Sequence, residues 1–338
     1  MLEAPFLNAV PGSQSLRTRV KYCPLDLDGD AYERLEKRIG PAHLRARLGL
    51  EAEYETHVFR RGTHFPHIEN LRGAQTLIRV CLKLTGLYWR ARRNACAIRV
   101  VHNDLRLANL PRALDGFTIL HLSDIHADLS ETILHALIER VRELNYDLCV
   151  LTGDYRAATF GPWEAAVAGM ERLRVHLREP VYAVLGNHDS IRMVPRMEAA
   201  GMRMLLNESA VIQRNGTTLY LAGIDDAHYY QVDNLQRAHQ DIPANAVSIL
   251  LSHTPEPYRH AAHAGFSAML CGHTHGGQLC LPGGIPILTD CDCPRRVARG
   301  AWRQNDMIGY TSVGAGSSIV DVRLNCPPEI TLHTLRAA

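Results

Sequence analysis

The chain has 338 residues, 46% hydrophobic and 21% charged, the make-up of an ordinary folded protein long enough for a large core and more than one structural unit. Its formal net charge of +2 excludes a uniformly basic or acidic chain, but residues 1–115 carry 19 Lys+Arg against 12 Asp+Glu, and the remainder 18 against 23. Nine cysteines, an odd number without framework spacing, argue against a secreted disulfide scaffold and for reduced, buried thiols in a cytoplasmic protein.

The first residues, MLEAPFLNAVPGSQS, lack the basic segment and apolar stretch of a cleaved signal, and no apolar run reaches the roughly 18 residues of a membrane span. Short helices are predicted around DAYERLEKRI and PAHLRARLGL. The spacing of Asp26, Asp28 and Asp30 resembles a calcium loop, but Lys37 stands where that loop needs its last acidic ligand, so the reading is discarded. Residues 75–93, QTLIRVCLKLTGLYWRARR, predict one basic amphipathic helix, with Leu77, Cys81, Leu84 and Tyr88 on one face and Arg79, Lys83, Arg90 and Arg93 opposite. Such a helix either lies on an anionic membrane, with Tyr88 and Trp89 at the interface, or packs its apolar face on the neighbouring domain; the sequence leaves both open.

From Gly116 the texture changes. Short apolar runs alternate with helical stretches (FTILHL, ETILHALIERVREL, DLCVLTG, WEAAVAGMERLRVHL, VYAVLGN), and later runs follow one another more closely. Asn215–Gly216 between two of them predicts a hairpin turn. This pattern predicts an α/β fold, two packed mixed β-sheets flanked by helices in a four-layer αββα sandwich over residues 116–336, behind a helical N-terminal extension, 1–115.

Groups able to hold a metal recur at the ends of those apolar runs. FTILHLSDIH ends in Asp124 and His126, DLCVLTGD in Asp154, VYAVLGNHD in Asn187, His188 and Asp189, VSILLSH in His253, and SAMLCGHTH in His273 and His275. In α/β folds ligands collect outside the carboxyl ends of strands. Residues two apart in an extended segment face the same way, so Asp124 with His126, and His273 with His275, suit one cluster. Glycines 272, 276 and 277 around the last pair let the backbone turn sharply and approach a bound anion. Each motif alone fits a plain strand-end turn; five in order, each after an apolar run, do not. The ligand types are carboxylate, imidazole and amide without thiolate, which argues against a structural zinc site. The Cys291–Asp–Cys293 pair has no partner pair to complete a metal site.

The order DxH, GD, GNHD, a lone His and GHTH resembles the calcineurin-like metallophosphoesterase superfamily over about residues 116–336. That resemblance implies two divalent metals, manganese favoured and iron or zinc the alternatives. Asp124, His126, Asp154 and His275 would hold one, and Asp154, Asn187, His253 and His273 the other, with Asp154 bridging. It implies His188 as the catalytic histidine that contacts the phosphate or protonates the leaving oxygen. In many members a residue three after the GD aspartate orients that histidine; here the position is Ala157, and Asp189 is the candidate substitute. Two such metals, about 3.5–4 Å apart, neutralise the phosphate and activate a bridging water for in-line attack. The strings LLSHTPE, CGHTHGGQ and RLNCPPEITLHTL, with LTGLYWRARRNA, look like a bacterial membrane-associated subgroup that includes a UDP-2,3-diacylglucosamine hydrolase.

The expectation is therefore a dinuclear phosphoester hydrolase, cytoplasmic and peripheral on the inner membrane face, acting on a phosphodiester or pyrophosphate that is lipid-linked. Arg156, next to the bridging Asp154, either clamps the substrate phosphate or faces solvent. Gln278 is placed to shape the pocket, and Asp225 and Asp226 are read as turn residues before partners of the ligand histidines. A nuclease or cyclic-nucleotide phosphodiesterase is the alternative enzyme, although the basic front segment lacks the interleaved aromatics of a nucleic-acid surface, and no nucleic-acid partner is expected. A non-catalytic scaffold would lack ligands, and none is missing here.

Overall fold

The computed structural model describes residues 29–56 and 73–338; the N-terminal stretch inspected for a signal, with Asp26 and Asp28, lies outside them. Helices α1 (Gly29–Ile39) and α2 (Pro41–Thr56) form where the sequence predicts, hinged at Gly40, whose φ of 90° suits only a residue without a side chain. Both are built into the body of the protein: Leu35, Ile39 and Leu44 join the core under the first sheet.

The stretch 75–93 departs from the single helix expected. It forms α3 (Ala74–Leu84) and α4 (Tyr88–Ala95), broken where Gly86 takes a φ of 71°. The break destroys the 100° register that placed Leu77, Cys81, Leu84 and Tyr88 on one face. Tyr88, Leu82 and Ala91 pack against Val320 and Val322, whereas Leu77, Leu84 and Trp89 are 64%, 83% and 71% exposed. One face of the pair is thus docked on the neighbouring segment, and another apolar face is turned outward.

The first sheet contains β1 (Arg99–Leu107), β2 (Thr118–Leu122), β3 (Leu148–Thr152), β4 (Val181–Val184) and β5 (Arg203–Met204), closed by the last strand of the chain, and its spatial order is β1, the last strand, β2, β3, β4, β5. Strands β2, β3 and β4 run parallel. The second sheet contains β6 (Glu208–Arg214), β7 (Thr217–Gly223), β8 (Ser248–Leu251) and β9 (Ala268–Cys271). After a small hairpin, β10 (Cys280–Leu281) and β11 (Ile285–Pro286), it is completed by β12 (Gly300–Gln304) and β13 (Met307–Thr311) in the order β12-β13-β9-β8-β7-β6. The chain then returns to the first sheet as β14 (Glu329–Ala337). β1, in the stretch the sequence assigns to the extension, pairs in parallel with β14 and is the edge of this sheet. The Asn215–Gly216 turn joins β6 to β7 as expected, both residues at positive φ.

Alternation along the strands builds the layers. Ile119, Val150 and Val184 face Leu221, Ile249 and Leu270 between the sheets. Leu120, Leu122, Cys149 and Leu151 face out toward α5 (Glu131–Arg142) and α6 (Glu164–Arg174). On the far side, Leu250 and Met269 meet α8 (Leu235–His239) and α9 (Tyr258–His263); α7 (Val194–Ala199) covers the β5 end of the first sheet. The architecture is the expected four layers. Its consequence is that the carboxyl ends of β2, β3 and β4 in one sheet, and of β8 and β9 in the other, open at the same rim.

Candidate metal centre

Each candidate ligand stands two to four residues beyond such a strand end, where the ladder stops and the backbone turns. Asp124, His126, Asp154, His273 and His275 all adopt positive φ, between 44° and 72°. A side-chain-bearing residue held there costs of order 1–3 kcal/mol, so five in one place mark a geometry maintained against local preference. Gly272 makes the closest approach: a Cβ there would collide with Ser123 and with the Asp124 carboxylate. Its bareness brings the His273 N–H onto Asp124, 3.0 and 3.1 Å from the two carboxylate oxygens. The glycine thus serves a carboxylate of the protein. Gly276, at φ 56°, carries the turn that follows His275.

The imidazoles are oriented by their outer nitrogens. His126 Nδ1 lies 2.7 Å from the Arg156 carbonyl and His253 Nδ1 2.7 Å from the Thr152 carbonyl. Carbonyls only accept, so those nitrogens carry the protons and Nε2 of each ring turns inward as an acceptor. There His253 Nε2 meets Asn187 Oδ1 at 2.9 Å, His273 Nδ1 at 3.1 Å and Asp154 Oδ2 at 3.2 Å. On the other side, His126 Nε2 lies 3.2 Å from His275 Nε2, which is 3.5 Å from Asp124 Oδ1, and Asp154 Oδ2 is 3.9 Å from His126 Nε2. One proton serves such acceptors singly; a cation serves them together. The groups Asp124–His126–His275 and Asp154–His253–His273 each converge within 4.8 Å, and Asp154 reaches both sides. The donor set fits divalent cations.

Electrostatics gives the same answer. Burial pushes Asp124 up to about 6, with His253 opposing and Asp154 adding to the rise. Burial also works against ionised Asp154, yet His253 and His188 outweigh it and hold that carboxyl well below the usual range. Burial would lower His253, but Asp154 lifts it to about 10. With no cation the ring therefore carries a second proton on Nε2, which a cation held at this point would displace, leaving Nε2 as the acceptor.

His188 Nδ1 hydrogen-bonds the Ala157 carbonyl at 2.9 Å, and its Nε2 faces Asp154 Oδ2 at 3.9 Å. The orienting group is main chain, which is why alanine suffices at this position. Asp189, the substitute expected from the sequence, points elsewhere. Its carboxylate accepts from the N–H groups of Gly186, Asp154, Tyr155 and Arg156, tying the two turns together. Arg156 is corrected as well, neither clamp nor solvent-facing: it is buried, and its guanidinium donates to the carbonyls of His188, Gly161 and Thr159. Gln278 grips the 318–320 backbone through three hydrogen bonds. Asp226 caps the N–H groups of His228, Tyr229 and Tyr230, and Asp225 meets His43 and Arg47; neither supports a ligand histidine.

Three supports carry no signal in the sequence. Arg323 is fully buried and donates to the carbonyls of His275, Gly314 and Gly316, with Nη2 3.1 Å from His275 Nδ1. From α2, Arg47 donates to the Asp189 carbonyl at 2.8 Å, and Glu51 accepts from Ser190 Oγ and the Ile191 N–H. Beside His273, His228 Nδ1 pairs with Glu256 at 2.8 Å. A cleft of about 470 Å³ lined by Arg99, Arg299 and Glu329 opens beside the β10–β11 hairpin, and none of the candidate ligands lines it.

The chain is similar to known proteins over the stretch that carries these residues. Residues 117–277 match the family model of the calcineurin-like phosphoesterases. The metallophosphoesterase YkoQ of Bacillus subtilis is 25% identical over 257 residues, 73% of this chain and 94% of that protein. The phosphodiesterase YaeI of Escherichia coli is 28% identical over 246 residues, 68% of this chain and 86% of that protein. The UDP-2,3-diacylglucosamine pyrophosphatase LpxG of Chlamydia trachomatis is 23% identical over 236 residues, 52% of this chain and 69% of that protein.

Proposed function

We propose that the chain, whose residues 117–277 match the family model of the calcineurin-like phosphoesterases, is a metallophosphoesterase that hydrolyses a lipid-linked phosphodiester or pyrophosphate with two divalent cations, manganese first among them. Asp124, His126, Asp154 and His275 would hold one cation, and Asp154, Asn187, His253 and His273 the other. The observation that carries the reading is the meeting of acceptors at one point, three of them around His253 Nε2. Cations held there would supply charge to neutralise the phosphoryl oxygens and would lower the pKa of a water for attack. The protein's part is to fix the ligands through the Arg156 and Thr152 carbonyls and to hold His188 beside Asp154. His188, its Nδ1–H on the Ala157 carbonyl, delivers a proton from Nε2 to the departing oxygen. D154A and H273A are expected to abolish hydrolysis of a chromogenic phosphodiester by the manganese-loaded protein while leaving it folded; activity retained in either variant sinks the metal mechanism.

The substrate class is supported by the named activities of YaeI and LpxG and by an apolar surface next to the centre. Leu77, Val80, Leu84 and Trp89 are exposed on α3 and α4, and Leu281, Ile285, Ile287 and Leu288 on and just after the hairpin. Both groups attach to the 319–324 segment, α3 and α4 by packing on it and the hairpin through the Cys280 N–H to the Leu324 carbonyl. Exposed Lys83, Arg90, Arg92 and Arg93 accompany them, the composition of a surface for anionic lipid, and we place the protein in the cytoplasm at the inner membrane face. No helix among the described residues is long and apolar enough to cross a membrane. In co-sedimentation, L84E/W89E should lose binding to vesicles containing phosphatidylglycerol, and wild-type should ignore purely zwitterionic ones. Equal recovery of both proteins in the supernatant contradicts the lipid contact without touching the hydrolase reading.

A further inference from the structure

The cleft beside the β10–β11 hairpin shares a rim with the candidate centre. β14 runs antiparallel to β2, and β1 runs parallel to β14, so their first residues, Glu329 and Arg99, stand at the carboxyl end of β2, just before Asp124. β13 runs parallel to β9, and Val313, two residues past its end, lines the cleft while its side chain lies against Gly276, next to His275. Between the hairpin and Arg299 the chain passes Cys291 and Cys293, which form a disulfide, contrary to the reduced thiols expected from the sequence.

The charges in this cleft are not spent on one another. Arg99 stands opposite Glu329 in the β1–β14 ladder, yet among the described residues no ion pair or hydrogen bond holds its guanidinium. Glu329 turns instead to the Tyr310 hydroxyl at 3.0 Å and to the Val313 N–H and Thr331 hydroxyl at 3.3 Å. All three donate to Oε1, which leaves Oε2 to the cleft. Arg299 donates through Nη1 to the Gly284 carbonyl at 3.2 Å, and among the described residues its other N–H groups are unspent. Asn325 donates through Nδ2 to the Cys280 carbonyl at 2.8 Å, which leaves Oδ1 as an acceptor. Two guanidiniums against one carboxylate make a net charge of +1 in the lining. The matching ligand is a single anion with hydroxyls beside it: guanidinium forks suit phosphate oxygens, and the carboxylate and amide oxygens suit O–H donors. A volume of about 470 Å³ admits a molecule of headgroup size. Leu281 and Ile285, 52% and 54% exposed, flank the hairpin turn at the edge of the cleft.

We propose that this cleft binds the phosphodiester headgroup of an anionic glycerophospholipid. Arg99 and Arg299 take the phosphate oxygens, Glu329 Oε2 and Asn325 Oδ1 accept from the headgroup hydroxyls, and the acyl chains lie along the hairpin. The lipid held here is not hydrolysed; it docks the rim on the membrane, so that a lipid-linked substrate in the same leaflet reaches the neighbouring centre. The inference rests on the lipid contact proposed above and names its ligand.

The soluble probe is glycerophosphoglycerol, the diester without acyl chains, titrated calorimetrically into the full-length protein in chelator so that no cation at the centre draws the phosphate. Wild-type should bind it, and R99Q/R299Q about tenfold or more weakly. Both arginines are exposed, so the folded state survives their replacement. R99K/R299K keeps the charge and loses the forks, and should stay well below wild-type; full affinity in it overturns the clamp. Dimethyl phosphate, the same monoanion without hydroxyls, should bind more weakly than the probe, and equal binding overturns the roles of Glu329 and Asn325. No binding of the probe by wild-type overturns the site. On vesicles containing phosphatidylglycerol, R99Q/R299Q should sediment less than R106Q/R112Q, which removes the same charge elsewhere, Arg106 lying toward the other end of β1. Equal sedimentation of the two variants gives the cleft to a soluble phosphate ester and overturns the lipid assignment. Wild-type that binds the probe but no vesicle places the failure in the lipid contact itself.

Discussion

His188 owes its orientation to a carbonyl, that of Ala157, and this shapes what its loss should do. Its proposed work is at the departing oxygen, so the effect of H188Q should depend on how much that oxygen needs a proton. For an alkyl leaving group the rate should fall about 10²–10⁴-fold, the usual share of a positioned general acid. For a p-nitrophenolate leaving group the loss should be much smaller. Steady-state comparison of the two substrates checks this, and an equal loss on both would assign His188 to phosphate binding instead. At this scale the proposed ligands are legible in the sequence because each follows an apolar run and strand ends expose what comes next. The residues that hold them are not. Arg323 follows the first candidate ligand by nearly 200 positions, and nothing around it in RLNCPPE shows that it will be buried against His275 and three carbonyls. Arg156 is illegible for the same reason: an arginine beside the aspartate proposed to bridge suits a clamp equally well until the 157–161 loop folds over it.

Among the elements, α2 binds the N-terminal part of the chain to the chemistry. Arg47, fully buried, lies 3.4 Å over the Tyr230 ring, 3.4 Å from Glu51 and 3.7 Å from Asp225, and reaches the residue next to His188. Burial alone would raise the Asp225 carboxyl, but Arg47 and His43 outweigh it and depress it below its ordinary 3.8. A depressed carboxyl contributes stability that is complete above pH 3.8 and is lost as the pH falls through the folded value. D225N should therefore cost about 3–5 kcal/mol near neutrality by leaving Arg47 short of a buried partner. Because wild-type loses the same pair in acid, the gap between the two should narrow below pH 3.8. Urea unfolding at several pH values measures it; a gap that stays constant into acid would contradict the assignment. The sequence marks α2 as a helix yet not as part of the site, since helical periodicity reports a buried face and not what the face meets. Likewise the period of 75–93 runs unbroken through Gly86, because a hydrophobic pattern does not register a backbone that turns left-handed.

On the scale of the whole molecule, the centre exists only because two sheets bring their strand ends to one rim. Asp124, Asp154 and Asn187 come from the first sheet, His253 and His273 from the second. The αββα layering is readable from alternating runs, since the period of two decides which residues face the other sheet. The edge strand β1 is not, because RVVHNDLRL buries only Leu105 and Leu107 and mixes charge throughout. The chain's uneven charge also gains a location, with Lys83, Arg90, Arg92 and Arg93 exposed around the outward apolar face of α3 and α4. The most direct measurement of the central claim is anomalous diffraction at the manganese edge from crystals of the reconstituted protein. The account predicts two peaks sharing Asp154, one within bonding distance of ligand atoms of Asp124, His126 and His275, the other likewise of Asn187, His253 and His273. Full manganese loading with no peak, or with a single peak outside these side chains, would contradict it.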